Sequence, residues 1–416
     1  MPRILLSPLL VLAFAAPTIS PACTVFKITH NGRTLIGNNE DAWSINSQIR
    51  FEQGRNGGYG AIYFDHFNGH PFRKMGPQLG MNEAGLVFDG LTIQPHHATP
   101  VPGRKQVHFD DLMPQLMRTC ATVHEAVTVL RAYDFSWLTR SMLFFADRNG
   151  DYLIVENDTM MLGNDPTYAV GNWRMGSCTD PDAIPIPRLQ AGRALLNEGT
   201  EASLEHGTAE LQVMQACRSK MGEGTIFSTL FDPGAGKAYL YFYHDFQHMV
   251  PFDLKTELAQ GDRTLVMADL FPANAEFERL KAYSTPFHQR WLFWTLVVFA
   301  GALALWLFVG SIMLLVRLIA LMRKERDPPI LPLFLSLLFC LASLPLIGVI
   351  LTQEGVFYFG LGDVHPFLAW LPVTLIALAL SLAWMKRNIA RPLLVIGATA
   401  LLPFFTLLGY WGMIVP

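Results

Sequence analysis

Hydrophobic positions along this chain change their pattern once, near Trp291. Before it, short β-prone runs rich in Val, Ile, Phe and Tyr fall near residues 23–37, 59–65, 84–93, 142–156 and 225–244. Thr24–Thr29 has the rough apolar–polar alternation of a half-buried strand. Helical spacing runs near 109–133 and 187–219, with Asp110, Asp111 and Thr122 as start signals. Strands on both sides of a helical middle predict an α+β domain. Four apolar runs follow: Trp291–Val316, Ile330–Leu351, Val364–Met385 and Pro392–Val415. Each is long enough to cross a hydrocarbon layer of ~30 Å. Buried core helices are the alternative, and four consecutive runs without Asp, Glu, Lys or Arg favour an all-α transmembrane domain of about four helices. The same lack of intramembrane charge gives no support to a transport or proton-relay role.

The expected division is a signal peptide at 1–22, an extracytoplasmic domain at 23–285 and a membrane domain at 286–416. The leader has Arg3 at its tip, an apolar stretch from Ile4 to Ala16, and the small-residue exit Ser20-Pro21-Ala22. Basic residues sit in alternate connections of the apolar half. Arg317, Arg323, Lys324 and Arg326 lie in the first, and Lys386, Arg387 and Arg391 in the third. The second holds Glu354 and Asp363 without Lys or Arg. Positive charge stays in the cytoplasm, so this bias sets the Cys23 side outside, as the leader does.

Cleavage after Ala22 leaves Cys23 as the N-terminus. A terminal cysteine carries a thiol, with an ordinary pKa of about 8.5, and an α-amine near ~7.7–8.0. One residue then holds a nucleophile and a base. Three other readings of Cys23 stay open: a small apolar first residue, a disulfide partner, and a lipidated anchor. Ser20 stands where a lipobox has leucine. His30-Asn31-Gly32 then supplies a turn, because Asn-Gly tolerates positive φ. The second strand returns Asn38-Asn39-Glu40-Asp41 beside Cys23, where a carboxylate can hold the ammonium or orient the thiol, or can simply cap a hairpin.

These residues resemble the choloylglycine hydrolase and penicillin V acylase family of N-terminal-nucleophile amidases. Cys23-Thr24 with Gly37-Asn38-Asn39-Glu40-Asp41 is similar to that family's Cys-Thr and Gly-Arg-Asn-x-Asp. Gly80-Met81-Asn82-Glu83-Ala84-Gly85-Leu86 is similar to its Gly-Met-Asn-Glu-x-Gly-Leu turn. The acid-ending hairpin Ala146–Glu156, the segment Tyr168–Asn172 and the late hairpin Thr225–His244 resemble further blocks, so the likeness spans roughly Cys23 to Leu254. Asn38 stands where the family has arginine, and Thr92 where it has asparagine. No second active-site arginine is matched, and the flanks of Arg218 differ.

The resemblance implies a four-layer αββα sandwich and hydrolysis of a linear amide through a Cys23 thioester. It implies that Asn172 and the Thr92 backbone N–H stabilise the oxyanion, and that Asp41 binds the Cys23 terminus. Asn38 and Asn39 become substrate-side residues, Asn39 chiefly as a structural bridge. The expected partners are a small-molecule or lipid-like N-acyl amide and the membrane. An acyltransferase on the same fold, and a non-catalytic receptor or assembly protein descended from it, remain as alternatives.

Other chemistry finds little footing. No His-Glu-x-x-His or Cys-x-x-Cys spacing points to a metal, and no cofactor is expected. Gly57-Gly58-Tyr59-Gly60 lacks the Lys-Ser/Thr of a phosphate loop. With 31 Lys and Arg against 34 Asp and Glu, and dispersed basic residues, no nucleic-acid footprint exists. Cys178 and Cys217 are candidates for a disulfide, with free buried thiols as the alternative.

Overall fold

A computed structural model of the chain describes residues 23–42, 44–67, 77–199, 201–216, 224–323, 330–353, 356–359, 370–385 and 391–411. The expected leader, Cys217, Arg218, Lys324, Glu354 and Arg387 lie outside the described residues. The chain divides into two compact units, with the boundary in sequence between Tyr283 and Ser284.

The first unit begins with β1 (Thr24–His30) and β2 (Arg33–Ala42), then β3 (Asn46–Glu52), β4 (Ala61–Phe67), β5 (Leu79–Asn82) and β6 (Val87–Thr92). Helices α1 (Phe109–Thr119) and α2 (Val123–Leu130) precede β7 (Ser141–Ala146), β8 (Tyr152–Val155), β9 (Met160–Gly163) and β10 (Thr167–Val170). Helices α3 (Pro187–Glu198) and α4 (Leu204–Met214) precede β11 (Gly224–Asp232), β12 (Lys237–Phe242), β13 (Asp245–Asp253) and β14 (Arg263–Val266). Each helical stretch read from the sequence is thus two helices. Thr122 marks one break, where its hydroxyl accepts the Glu125 N–H at 3.2 Å as an N-cap.

The strands form two antiparallel sheets, ordered β10-β1-β2-β11-β12-β13 and β14-β3-β4-β5-β6-β7-β8-β9. Phe64 of β4 stacks on Phe227 of β11 and meets Phe231 edge-on, so apolar faces of the two sheets pack together. Helices α1 and α2 cover the outer face of the eight-stranded sheet through Leu112, Met113, Leu116, Leu130, Phe88 and Phe145. Helices α3 and α4 lie on the six-stranded sheet at β10, β1, β2 and β11. This mixed α+β arrangement is consistent with the sandwich that the sequence resemblance implies.

The β1–β2 turn forms as the sequence predicts. Asn31 and Gly32 both have positive φ, 50° and 76°, in a two-residue connection between the paired His30 and Arg33. The Gly80–Leu86 block is also a turn. Gly85 has φ 86°, and the Asn82 side chain donates to the carbonyls of Met117 and Cys120, both at 2.8 Å, closing the end of α1.

In the second unit, Arg290–Met322 (33 residues) and Ile330–Ile350 (21 residues) are long and apolar enough to cross a membrane. Leu371–Met385 has 15 residues and Arg391–Tyr410 has 20. Among the described residues of this unit, two polar side-chain contacts join different helices. Cys340 Sγ donates to the Leu303 carbonyl at 3.1 Å, and Ser343 Oγ to Thr374 Oγ1 at 3.0 Å.

Candidate functional site

The β1–β2 register pairs Thr24 with Asn39 and Val25 with Asn38, which sets Glu40 level with Cys23. The β1–β10 register pairs Val25 with Val170, and continuing it sets Asn172 level with Cys23 on the other side. Three adjacent strands thus bring Glu40, Cys23 and Asn172 to one height.

Alternation along β2 sorts its four polar residues onto two faces. Asn39 and Asp41 face α3 and α4. Asn38 and Glu40 face the opposing sheet with Cys23. The same logic orients β6: Phe88 belongs to the core under α1 and α2, so its neighbour Asp89 points between the sheets.

On the helix face every named group has partners. Asn39 Nδ2 donates to the Leu211 carbonyl at 3.0 Å, and its Oδ1 accepts from Ser228 Oγ at 2.6 Å. Thr24 Oγ1 donates to the Met214 carbonyl at 3.3 Å. These bonds satisfy carbonyls in the last turn of α4, which a helix leaves open. Asp41 Oδ1 accepts from Thr225 Oγ1 at 2.6 Å, and Oδ2 takes an ion pair from Arg188. Thr225 and Ser228 are three residues apart yet share a face. A bulge between Thr225 and Phe227 shifts the register by one and makes this happen.

Between the sheets the balance differs. Cys23 Sγ donates to Glu40 Oε2 at 3.2 Å. Asn38 Nδ2 donates to Asp89 Oδ2. Asn38 Oδ1, Asp89 Oδ1 and Thr229 Oγ1 are buried without a hydrogen-bond partner among the described residues. Burial pushes the Cys23 thiol well above its ordinary range, and Glu40, Asp41 and Asp89 push the same way, against the Asp41 backbone N–H. Burial, then Glu40, also holds the Asp89 carboxyl well above the usual range.

Asn172 lies just past β10. Its Nδ2 donates to the Thr92 carbonyl at 2.6 Å, and its Oδ1 accepts from Arg188 at 3.4 Å. What reaches Asn172 from Thr92 is an acceptor, the carbonyl, whereas the expectation was a backbone N–H aimed at substrate. The Thr92 side chain is exposed. Glu156, the acid at the end of the β8 hairpin, pins the segment after Asn172 by accepting from Met175 N at 2.5 Å and Gly176 N at 3.1 Å.

Arg188 and Asp89 are the residues that sequence reading missed. Arg188 sits in the first turn of α3, where a cation meets the positive end of the helix dipole. An arginine placed there calls for an anion from elsewhere, and that was the available signal. Among the described residues no group of three or more His, Cys, Asp or Glu could hold a metal ion. Cys178 carries a free thiol, and its candidate partner Cys217 lies outside the described residues.

No protein-family model matches this chain, and no curated protein matches it. Among solved structures, the chain is similar to an arginine-to-leucine variant of conjugated bile acid hydrolase from Clostridium perfringens. That likeness has 15% identity and a TM-score of 0.47, over 61% of this chain and 99% of the other. A cysteine-to-alanine mutant of the same hydrolase is similar at 15% identity and TM-score 0.45, over 61% and 97%. The Caenorhabditis elegans N-acylethanolamine-hydrolyzing acid amidase ortholog is similar at 15% identity and TM-score 0.36, over 51% and 93%.

Proposed function

We propose that this chain is an amidohydrolase that cleaves a linear N-acyl amide through a thioester on Cys23. The observation that carries this reading is the buried Cys23 thiol at the head of β1, hydrogen-bonded to Glu40 and level with Asn172. A thiol buried among carboxylates does not ionise spontaneously near neutral pH. It needs a proton acceptor at the moment of attack, which distinguishes a directed nucleophile from a generally reactive cysteine.

In this reading Sγ attacks the amide carbonyl, and the Asn172 side-chain amide stabilises the tetrahedral oxyanion. The Thr92 carbonyl fixes the plane of that amide. Asp41, held by Arg188 and Thr225, binds the Cys23 terminus once residues 1–22 are removed, and the neutral α-amine there is the proton acceptor that the resemblance implies. Asn38 is a neutral donor and acceptor where arginine would offer a fixed charge and a planar fork. The substrate is therefore an amide without an anionic group at that position. The apolar helices of 286–416 anchor the 23–285 domain on the outer side of a membrane, where a lipid-like acyl chain is within reach.

The test is turnover of an N-acyl amide panel by the full chain in detergent micelles. Cys23→Ala abolishes hydrolysis while the protein still unfolds cooperatively, and Cys23→Ser keeps a small fraction at most. Undiminished hydrolysis by Cys23→Ala would overturn the assignment.

A further inference from the structure

Asn38 Oδ1, Asp89 Oδ1 and Thr229 Oγ1 lack hydrogen bonds among the described residues, and the three side chains belong to one group between the sheets. The β2–β11 register sets Thr229 directly opposite Asn38, on the same face. Asn38 Nδ2 donates to Asp89 Oδ2, which ties that pair to β6 of the facing sheet. Asn38 and Asp89 are each 1% exposed, and Thr229 is 0% exposed. The strand neighbours paired with Asp89 are Leu79 and Phe144, and Val25 flanks Asn38, so none of them brings a cation. An arginine at position 38 would supply one, and asparagine does not. Burial and then Glu40 hold the Asp89 carboxyl well above the usual range, so without a counter-charge it keeps its proton.

A primary ammonium carries three N–H donors and no acceptor. It matches the three unpartnered oxygens in number, and its charge is the one that Asp89 lacks. When R–NH3+ enters, Asp89 gives its carboxyl proton to solvent, and carboxylate and ammonium remain as a hydrogen-bonded pair. An alkyl end in the same place leaves all three oxygens unpaired. A carboxylate end adds a third carboxyl group to a site that already holds Asp89 and Glu40. The reach also fits. Asn38 lies two residues from Glu40 on one face of β2, roughly 7 Å along the strand, and Glu40 is level with Cys23 and bonded to its thiol. A four-carbon spacer spans that distance from the scissile amide.

We propose that Asn38, Asp89 and Thr229 form a subsite for a primary ammonium on the leaving-amine side of the substrate. The substrate class is then a monoacylated diamine, with an apolar acyl chain on one nitrogen and a free ammonium on the other. The proposal rests on the Cys23 amidase reading, and it turns the absence of an anionic group near Asn38 into a positive requirement.

Two measurements on the full chain in neutral detergent micelles test this. The first compares kcat/KM for N-dodecanoyl-1,4-diaminobutane, N-dodecanoylbutylamine and N-dodecanoyl-4-aminobutanoate. The ammonium amide leads the butyl amide by roughly 10–10²-fold, the range of hydrogen bonds to a charged group, and the carboxylate is the poorest. Asp89→Asn removes most of that lead, and Thr229→Val, which takes away one acceptor at constant shape, removes part of it. Each ratio is read against the same substrates in the same micelles, so partitioning of the amides cancels between proteins. The second measurement needs no turnover. Titration calorimetry of Cys23→Ala with N-dodecanoyl-1,4-diaminobutane at pH 5.5, in buffers of different ionisation enthalpy, shows binding with proton release. Asp89→Asn in the Cys23→Ala background weakens binding and abolishes the release.

Thr229→Val decides the matter if Asp89→Asn fails to fold. Equal kcat/KM for the ammonium and butyl amides overturns the proposal, and this is the result if water alone fills the three oxygens. An ammonium lead that survives both Asp89→Asn and Thr229→Val overturns it as well, because the ammonium is then held elsewhere. The two readings fail separately. Hydrolysis that needs Cys23 but ignores the ammonium leaves Cys23 as nucleophile and removes the subsite. Hydrolysis undiminished in Cys23→Ala, with the ammonium lead kept and lost in Asp89→Asn, removes the nucleophile and leaves the subsite.

Discussion

The two faces of β2 share one backbone and one local sequence, Asn38-Asn39-Glu40-Asp41, and they behave as opposites. On the helix face, Asn39 and Asp41 are bonded to Ser228, Thr225, Arg188 and the carbonyls of α4. On the inter-sheet face, Asn38 and Glu40 sit with Asp89 and the thiol, and Asn38 and Asp89 each keep an oxygen unsatisfied among the described residues. Buried polar groups are normally all paired. The paired face reads as scaffold, and the under-paired face reads as the place where substrate or protons are handled. The difference teaches that in a stretch of strand whose four successive residues are all polar, satisfaction separates structure from chemistry better than residue type does.

The largest effect expected on this division is from Arg188. Arg188→Leu leaves the Asp41 carboxylate, fully buried as a side chain, without its cation. Breaking a buried ion pair on one side costs roughly 3–5 kcal/mol. The expected readout is a marked fall in the denaturant midpoint of the full chain, with partial recovery in the double variant Asp41→Asn, Arg188→Leu. Recovery fails if Arg188 acts mainly through Asn172 or Met214 rather than through Asp41.

Asn39→Ala comes next. It opens the Leu211 carbonyl and Ser228 Oγ at once, and each buried group left unpaired costs about 1–3 kcal/mol. The loss should appear in unfolding, while KM for an N-acyl amide stays within a few-fold in the folded fraction. A large KM change with unchanged stability would move Asn39 from scaffold to substrate binding and erase the contrast between the faces.

How much of this was legible follows the range of the interactions. The β1–β2 hairpin is local. Asn31-Gly32 fixes the turn and alternation fixes the faces, so the meeting of Cys23 with the Asn38–Asp41 segment could be read from residues alone. Thr122 likewise announced the start of α2. The bulge at Thr225–Phe227 was invisible, because a bulge exists only against a partner strand, and β2 lies far away in sequence. Asp89 was passed over for the same reason. Its alternation was readable, but the sheet it faces was not. Strands β3, β5, β9, β10, β13 and β14 lie outside the expected strand runs because they are short or polar and owe their form to pairing rather than propensity. The apolar runs after Trp291 needed only composition and length. Two of them form helices long enough to span a membrane.

The smallest effect comes from an exception on the helix side. Glu210 of α4 is fully buried, both of its oxygens lack hydrogen bonds among the described residues, and His206 Nε2 stands 3.8 Å away. Burial pushes its carboxyl up to about 8. In the unfolded chain the same group has a pKa near ~4.3. Below that value it is protonated in both states and its contribution to stability is fully present. As pH rises toward about 8 the unfolded chain ionises first, so stability declines by up to ~1.4 kcal/mol per pH unit. Unfolding midpoints of the full chain should therefore be lower at pH 7.5 than at pH 5.5. Glu210→Gln should flatten that slope, leaving a remainder from Asp89 and Glu156, whose carboxyls burial also raises. Lys27, lowered to about 8, adds nothing below its own titration. If Glu210→Gln changes the slope and leaves turnover of a folded sample unaltered, an unpaired buried carboxyl on the scaffold side is a stability matter only. That outcome restricts the link between unsatisfied groups and chemistry to the face that holds the thiol. If turnover falls as well, α4 reaches the chemistry through the carbonyls that Asn39 and Thr24 bind, and the two faces are not independent.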